Sequence, residues 1–369
     1  MLTSTSALLL VTPVQGAFAP HGADRVRSDQ WHLQYLKVIE ANGISRGEGT
    51  IVAVLDTGVD PHPDLNENLL PGIDMVGGGS GNGREDRDGH GTAMAGLIAA
   101  RGQRNETGAL GVAPAARILP VRGKVTNEGG DTGTLAAGIE YAVEQGADII
   151  SISAVAARSP RLQHAVEDAL RAGIVVVAAA GNQPEDSRVG YPAAEYGVIA
   201  VGGIDRTGRR AYVSVTGAEI DVVAPAVDIY STSFGGNYSK GTGTSGAAAI
   251  VAGAAALIRS QYPNLPAQEV AHRLTATAID KGPPGRDDEY GYGVIDLVAA
   301  LTADVPPLGF ESAPSVPTTT TAARPASDGG DDGATARGLA TLGVLVAAGG
   351  GYLLWRRRRA DDPPPRISR

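Results

Sequence analysis

The stretch Gly241-Thr242-Gly243-Thr244-Ser245-Gly246-Ala247-Ala248-Ala249 continues into nine small or apolar residues, 250–258, and predicts a buried helix. Ser245 stands between small residues at the start of this helix, where a nucleophile would be accessible. The first turn of a helix offers unpaired N–H groups and the positive end of the helix dipole. Thr244 and Ser245 are equally suited to an ordinary helix N-cap. This stretch alone therefore leaves a nucleophile and a cap as alternatives.

Strands and helices alternate on both sides of this stretch. Continuous apolar runs predict strands at 51–55, 117–121, 149–152, 174–178 and 198–201. Apolar residues at helical spacing predict helices at 91–100, 135–145, 162–172, 245–262 and 267–277, whereas 213–240 is more irregular, with short strand-like pieces and loops. Repeated strand–helix units predict an α/β fold, a doubly wound, mostly parallel sheet with helices on both faces.

Two polar motifs follow the predicted strands, where open α/β sheets carry their ligand sites. Leu55-Asp56-Thr57-Gly58 ends a buried strand with a carboxylate, which must be paired or hydrogen-bonded there. Asp56 also suits a cap of the next turn. Asp88-Gly89-His90-Gly91-Thr92 opens a helix, and its glycines leave the His90 ring approachable from both sides. A histidine standing alone in that place would suit a capping or surface role.

A third motif, Ala178-Ala179-Ala180-Gly181-Asn182, ends another predicted strand. Asn182 is either a turn residue or a side-chain donor able to stabilise an oxyanion. Aspartate, histidine, asparagine and serine at four loops of one sheet would together supply the parts of an acyl-transfer site. The remaining histidines lack such a setting and are predicted to be surface or packing residues: His21, His32, His62, His164 and His272.

These four motifs resemble those of the subtilisin-like serine proteases, the subtilase or peptidase S8 family. The order Asp, His, Ser is the subtilisin order and differs from that of chymotrypsin and of the α/β-hydrolases. The resemblance covers roughly residues 31–300 and implies that Asp56, His90 and Ser245 are the catalytic residues. It also implies that Asn182 and the Ser245 N–H receive the oxyanion, and that catalysis needs no cofactor.

The chain departs from the family pattern beside the expected site. Gly246-Ala247-Ala248-Ala249 follows the serine, where subtilases usually carry Phe or Met and then Ala-Ala-Pro. Ser153-Ala154-Val155 replaces the Ser-Leu-Gly of the strand that pairs with substrate, so these three residues are expected to bind substrate. Val155 is expected to narrow the neighbouring pocket. Subtilases often bind structural Ca²⁺, but no metal-ligand set can be assigned, and Asp60 and Asp64 are predicted to be solvated.

Composition limits the compartments and partners of the chain. Its 369 residues, 43% of them hydrophobic, suffice for one large domain with appendages. A formal net charge of -9 argues against nucleic acid as a partner. Because the chain has no cysteine, disulfides and thiolate metal sites are excluded.

Both ends of the chain are predicted to be outside the peptidase domain, assigned to residues 20–304. Residues 1–19 resemble an export signal peptide ending in Ala17-Phe18-Ala19, with a frayed tail as the alternative. Residues 305–337 are rich in Pro and Thr and predict a disordered spacer. The uncharged residues 338–355 would form a helix of about 27 Å, enough to span a bilayer.

Four arginines, 356–359, follow this transmembrane helix and place the tail 356–369 in the cytoplasm, with the domain outside. A buried helix of the domain is the alternative for 338–355. Spacer, anchor and short mature N-terminus resemble the mycosins, the membrane-anchored subtilases of type VII secretion, although mycosins commonly contain disulfides. After cleavage at Ala19, the 36 residues 20–55 would precede Asp56, and we expect no folded inhibitory pro-domain among them.

The sequence therefore predicts a membrane-anchored extracytoplasmic serine endopeptidase that acts on proteins or peptides. Membrane components of type VII secretion are its expected partners. The alternative is a structural component that stabilises a secretion complex, with proteolysis secondary.

Overall fold

A seven-stranded parallel sheet is the centre of the protein in this computed structural model, which describes residues 23–76, 81–103, 106–127 and 131–309. Its strands are β1 (Ile51–Asp56), β2 (Ile73–Asp74), β3 (Arg117–Arg122), β4 (Ile149–Ile152), β5 (Val175–Ala179), β6 (Ile199–Ile204) and β7 (Val222–Pro225). They lie in the order β2-β3-β1-β4-β5-β6-β7 and pair in parallel throughout. A separate antiparallel ribbon is formed by β8 (Ile229–Thr232) and β9 (Tyr238–Gly241).

The helices of the described ranges are α1 (Ala23–Asp29), α2 (Trp31–Tyr35), α3 (Val38–Asn42), α4 (His90–Ala99), α5 (Thr132–Glu144), α6 (Pro160–Arg171), α7 (Thr244–Gln261), α8 (Ala267–Ala276) and α9 (Leu297–Thr302). The predicted mostly parallel α/β fold is confirmed. Most boundaries lie within two residues of those predicted. Helix α5 begins three residues early because the Asp131 carboxylate accepts the Thr134 N–H at 2.8 Å and caps the first turn.

Helices cover both faces of the sheet. Leu55 in β1 points towards α5, where a Cβ built on Gly138 would lie 3.4 Å from its side chain. Asp56, the next residue, points towards α4, where a Cβ built on Gly91 would lie 3.1 Å away. Successive side chains of a strand point to opposite faces, so α4 and α5 lie on opposite sides. Helix α7 packs against α4, and α6 packs against α5.

Helix α7 is the central helix of the core. Thr244 and every residue from Gly246 to Ile258 are buried, as expected for a helix that is small or apolar all round. Its small residues allow close packing: a Cβ on Gly253 would lie only 2.8 Å from the Val112 side chain. Helix α7 contacts five strands of the sheet, β1 and β4 to β7, as well as α4, and these contacts hold its first turn at the end of the sheet.

The predicted appendages lie outside the described residues. This applies to the signal peptide 1–19, the span 338–355, the tail 356–369 and the spacer beyond Gly309. The described residues all belong to the first of two units, 1–314 and 315–369. Within the described ranges, no helix has the length and apolar character needed to cross a membrane.

Candidate active site

Asp56 and His90 meet where β1 ends and α4 begins. His90 Nδ1 lies 2.8 Å from Asp56 Oδ1, and the aspartate side chain is fully buried. The glycine that follows makes this approach possible, because a Cβ on Gly91 would lie 2.1 Å from the Gly58 carbonyl oxygen. The His90 ring keeps 14% of its surface exposed, so a substrate can reach it.

Asp56 is held in its charged form despite its burial. Burial is the largest single influence and raises its pKa, but the charges of His90 and Lys124 oppose it. Together with hydrogen bonds from His90 and from the Thr57 N–H at 2.7 Å, they lower the pKa of Asp56 to about 2. Asp56 is therefore a carboxylate at neutral pH, and it accepts a hydrogen bond from His90 Nδ1–H.

Ser245 lies in the first turn of α7, and the structure tests the cap interpretation of its motif. The N-cap residue is Gly243, and no side chain caps the helix. The cap interpretation of Thr244 and Ser245 is therefore wrong. Thr244 bonds instead to the strand-end loop, where its hydroxyl donates to the Gly181 carbonyl at 3.2 Å. The Ser245 side chain lies in the first turn and caps no N–H group there.

Asn182 is oriented by the same helix start. The Thr244 backbone N–H donates to Asn182 Oδ1 at 2.9 Å, which assigns the other amide atom, Nδ2, as a donor facing away. The backbone N–H of Asn182 donates to Asp186 Oδ2 at 2.8 Å and fixes the loop. Asn182 is thus held by hydrogen bonds at both its side chain and its backbone, which is more than an ordinary turn residue requires.

Two cavities meet at these residues. One, of about 230 Å³ between α4 and α7, is lined by His90, Asn182 and Ser245 among others. The other, of about 790 Å³, is lined by the 153–155 stretch and again by Asn182 and Ser245. A chain passing from one cavity to the other would cross Ser245.

The predicted substrate-binding residues follow β4 directly and line the larger cavity. The Ser153 hydroxyl lies 3.4 Å from the Ser245 carbonyl oxygen, which it can reach as a donor. Val155 is pressed against the backbone of Gly190, where an added Cβ would lie 2.3 Å from the valine side chain. The structure places these residues beside Ser245, and their contact with a substrate stays a prediction.

The sequence did not predict two residues of this site, the buried Lys124 and Asp186, which fixes a loop. Lys124 is only 7% exposed, and its Nζ lies 3.4 Å from Asp56 Oδ1. Asp186 fixes the loop of Asn182. The available signal for Lys124 was its position two residues beyond β3, the strand beside β1, at the same edge of the sheet.

The prediction that Asp64 is solvated is wrong. Asp64 is 1% exposed, and its oxygens accept hydrogen bonds from Gln103 Nε2, the Ala109 N–H and the Tyr238 hydroxyl. Its lone pairs are used within the protein and do not fit a calcium site. In the described part of the chain, no group of three or more His, Asp or Glu residues has the arrangement of a metal site. Asp60 is half-buried and accepts the Gly235 N–H at 2.8 Å.

The cleft thus brings together a carboxylate, an imidazole, a hydroxyl at a helix N-terminus and an amide donor. These are the parts of a serine peptidase site. Residues 47–293 match the subtilase family. Subtilisin DY of Bacillus licheniformis is 39% identical over 286 residues, which cover 76% of this chain and 98% of the relative. The chain belongs to the subtilase family and is a serine endopeptidase of that family.

Two solved structures are similar in fold and sequence. MycP1 from Mycobacterium smegmatis matches with a TM-score of 0.68 and 32% identity, over 77% of this chain and 87% of that one. The MycP3 protease from the type VII (ESX-3) secretion system matches with a TM-score of 0.66 and 35% identity, over 74% and 88%. The predicted resemblance to mycosins is confirmed.

Proposed function

We propose that this chain is a membrane-anchored serine endopeptidase that cleaves proteins outside the cytoplasm through Asp56, His90 and Ser245. The observation that carries the proposal is the 2.8 Å contact of His90 Nδ1 with Asp56, on a ring that lines the same cavity as Ser245 and Asn182. Similarity to MycP1 and MycP3 supports an association with type VII secretion.

The contacts define a role for each residue. Since His90 Nδ1–H donates to Asp56, the ring's other nitrogen is the acceptor for the Ser245 proton. Ser245 Oγ then attacks the peptide carbonyl, and the charged Asp56 stabilises the imidazolium. Asn182 Nδ2 and the Ser245 N–H donate to the oxyanion. His90 returns the proton to the leaving amine, and water hydrolyses the acyl-enzyme by the same steps.

The larger cavity holds the acyl side of the substrate. An extended peptide that pairs with the 153–155 stretch would run along this cavity towards Ser245. Val155 lines this cavity where the family commonly carries glycine, and we expect its side chain to narrow the pocket beside the scissile bond. We expect small residues to be preferred immediately before the cleaved bond.

Ser245→Ala tests the enzyme against the scaffold. The purified variant should fold normally and lose all but a residual rate of peptide hydrolysis, and adding His90→Ala should lower that residual rate little further because such residues act as a unit. In cells, the variant should leave export of partner proteins working while their processing stops. Appreciable turnover by the purified variant would remove the mechanism. Export blocked as fully as by deletion of the whole chain would instead make catalysis the essential role.

Truncation tests the anchor. The uncharged residues 338–355 and the arginines 356–359 support a single span with the domain outside. A chain ending before Gly338 should be released from membranes and still cleave peptides in solution, whereas processing in cells should fall. Ser245 labelling that remains in the membrane fraction after truncation would contradict the proposed anchor.

A further inference from the structure

Lys124 places a buried positive charge against the carboxylate of Asp56. Its Nζ donates to the Ser153 carbonyl at 3.2 Å and to Asn127 Oδ1 at 3.1 Å, and it lies 3.4 Å from Asp56 Oδ1. An ammonium group has three donors and no acceptor. All three donors therefore have an oxygen within reach, as a buried ammonium requires.

These contacts connect two parts of the site. Asp56 Oδ1 is the same oxygen that faces His90 Nδ1. Ser153 begins the stretch proposed to bind the substrate backbone, and its hydroxyl reaches the Ser245 carbonyl. One side chain thus touches both the triad carboxylate and the substrate-binding stretch.

Other charged groups near Asp56 and His90 come from each neighbouring element: Asp86 and Asp88 before α4, Asp131 before α5, Glu185 and Asp186 after β5, and Lys240 in β9. Lys240 is half-exposed and pairs with Asp228 at 3.0 Å. Apart from His90, Lys124 is the one basic side chain within 4.0 Å of the Asp56 carboxylate in the described part of the chain.

We propose that Lys124 is a positioning residue that keeps His90 available as a base at acid pH, while holding the 153–155 stretch in register with the triad. This proposal rests on the proposed function of the triad. A cation beside Asp56 competes with the imidazolium for the same oxygen. It therefore disfavours the protonated, inactive form of His90.

Removing the charge should move the acid limb of activity to higher pH. Opposite and like charges within about 4–6 Å commonly shift a titration by one unit or more. Neutral Lys124→Met and Lys124→Gln should both move the limb upwards by roughly one pH unit. Lys124→Arg keeps the charge and should leave the limb within about 0.3 unit of the wild type.

The readout is the second-order rate constant for labelling of Ser245 by a fluorophosphonate, measured from pH 4 to 9 well below the unfolding temperature. This probe needs no knowledge of the natural substrate. Arg122→Met is the matched control, because Arg122 is a buried cation at the same strand end that pairs with Asp74 at 2.7 Å. It should lower stability and leave the acid limb in place.

An upward shift in both neutral variants, with none for Lys124→Arg or Arg122→Met, supports the proposal. An acid limb that stays in place for the neutral variants overturns it, as does an equal shift for Arg122→Met. If Lys124→Met does not fold, the acid limb of Lys124→Gln is compared with that of Lys124→Arg, and the same two outcomes apply. Absence of labelling in the wild type at every pH would instead contradict the triad itself.

Discussion

The described part of the chain contains two histidine–aspartate pairs, and only one of them faces the cleft. In the first, His90 Nδ1 lies 2.8 Å from Asp56 Oδ1 and the ring is 14% exposed. In the second, His62 Nδ1 lies 3.9 Å from Asp64 Oδ2 and both side chains are fully buried. The residue types are the same, so the difference must come from what surrounds them.

The second pair has used its hydrogen-bonding capacity. His62 Nδ1 accepts the Asp64 backbone N–H at 3.1 Å, and Nε2–H donates to the Asn237 carbonyl at 3.0 Å. Burial is the main cause that lowers the pKa of His62, so the ring is neutral. Its aspartate accepts from three groups of the core, and no atom is left for a substrate.

The first pair leaves hydrogen-bonding groups unused within the protein. Asp56 Oδ2 has no hydrogen-bond partner within the described residues. His90 uses Nδ1 on Asp56, which leaves the other ring nitrogen for the cavity that Ser245 lines. The proposed catalytic pair and the buried pair have the same residue types, and they differ in whether a ring nitrogen remains available to the cleft.

The same substitution in each pair gives the largest expected contrast. His90→Ala should lower kcat by about 10⁶-fold, a magnitude carried over from subtilisin, a member of the same family. Its melting temperature should change little. His62→Ala should leave kcat/KM within about threefold, yet lose roughly 2–4 kcal/mol of stability, because a buried ring and two hydrogen bonds disappear. Peptide hydrolysis and thermal unfolding of both variants measure this, and an inactive but stable His62→Ala would break the comparison.

An asparagine accompanies each pair, and the two should differ in the same way. Asn182 acts through its side chain, so Asn182→Ala should lower kcat by about 10²–10³ with little change in KM, again as in subtilisin. Asn237 holds His62 through its backbone carbonyl, which Asn237→Ala retains. This matched variant should keep full kcat and lose at most about 0.5 kcal/mol of stability. Equal kcat values for the two variants would make Asn182 a turn residue only.

The contributions of the two pairs to the free energy of unfolding should be lost in different pH ranges. The pKa of His62 in the folded protein lies below its ordinary 6.5, so the unfolded chain binds more protons as pH falls. Its contribution to stability is present above about pH 6.5 and is lost below it. The pKa of Asp56, about 2, lies below its ordinary 3.8, so its contribution is lost only as pH falls from 3.8 towards 2.

Urea unfolding at pH 7.5, 5 and 3 measures these windows. His32, whose pKa burial lowers to about 3, acts in the same direction as His62 and should cost about 2 kcal/mol between pH 6.5 and 5. His62→Gln should therefore reduce, but not abolish, the loss between pH 7.5 and 5. Asp56→Asn should leave that first loss unchanged, and a flattened first window in this variant would contradict the assignment.

The sequence predicted the main elements of the fold because long apolar runs carry the period of a strand or helix. Shorter elements were not predicted. Strand β2 has only two residues and so shows no periodic pattern, and it is defined by its pairing with β3, as at Ile73 and Val121. The short helices α1 to α3 were missed for the same reason, whereas the ribbon β8–β9 lies almost wholly in 213–240, where short strand-like pieces were predicted without bounds.

The site was predictable where it follows strands. Asp56 ends β1 and Asn182 lies three residues after β5, and the same ends of these parallel strands lie near His90 and Ser245. Asp64 was predicted wrongly because its partners Gln103, Ala109 and Tyr238 are 39, 45 and 174 residues away. Lys124 was missed because its partner Ser153 is 29 residues away along the chain. Long-range partners cannot be read from local pattern.

The most direct test of the account is which histidine activates Ser245. Wild type, His90→Ala and His62→Ala should be treated with a fluorophosphonate probe, and the modified residue identified by mass spectrometry. We expect an adduct on Ser245 in the wild type and in His62→Ala, formed at similar rates. His90→Ala should react at least about 10³-fold more slowly. Undiminished labelling of His90→Ala, or an adduct on another residue, would contradict the account.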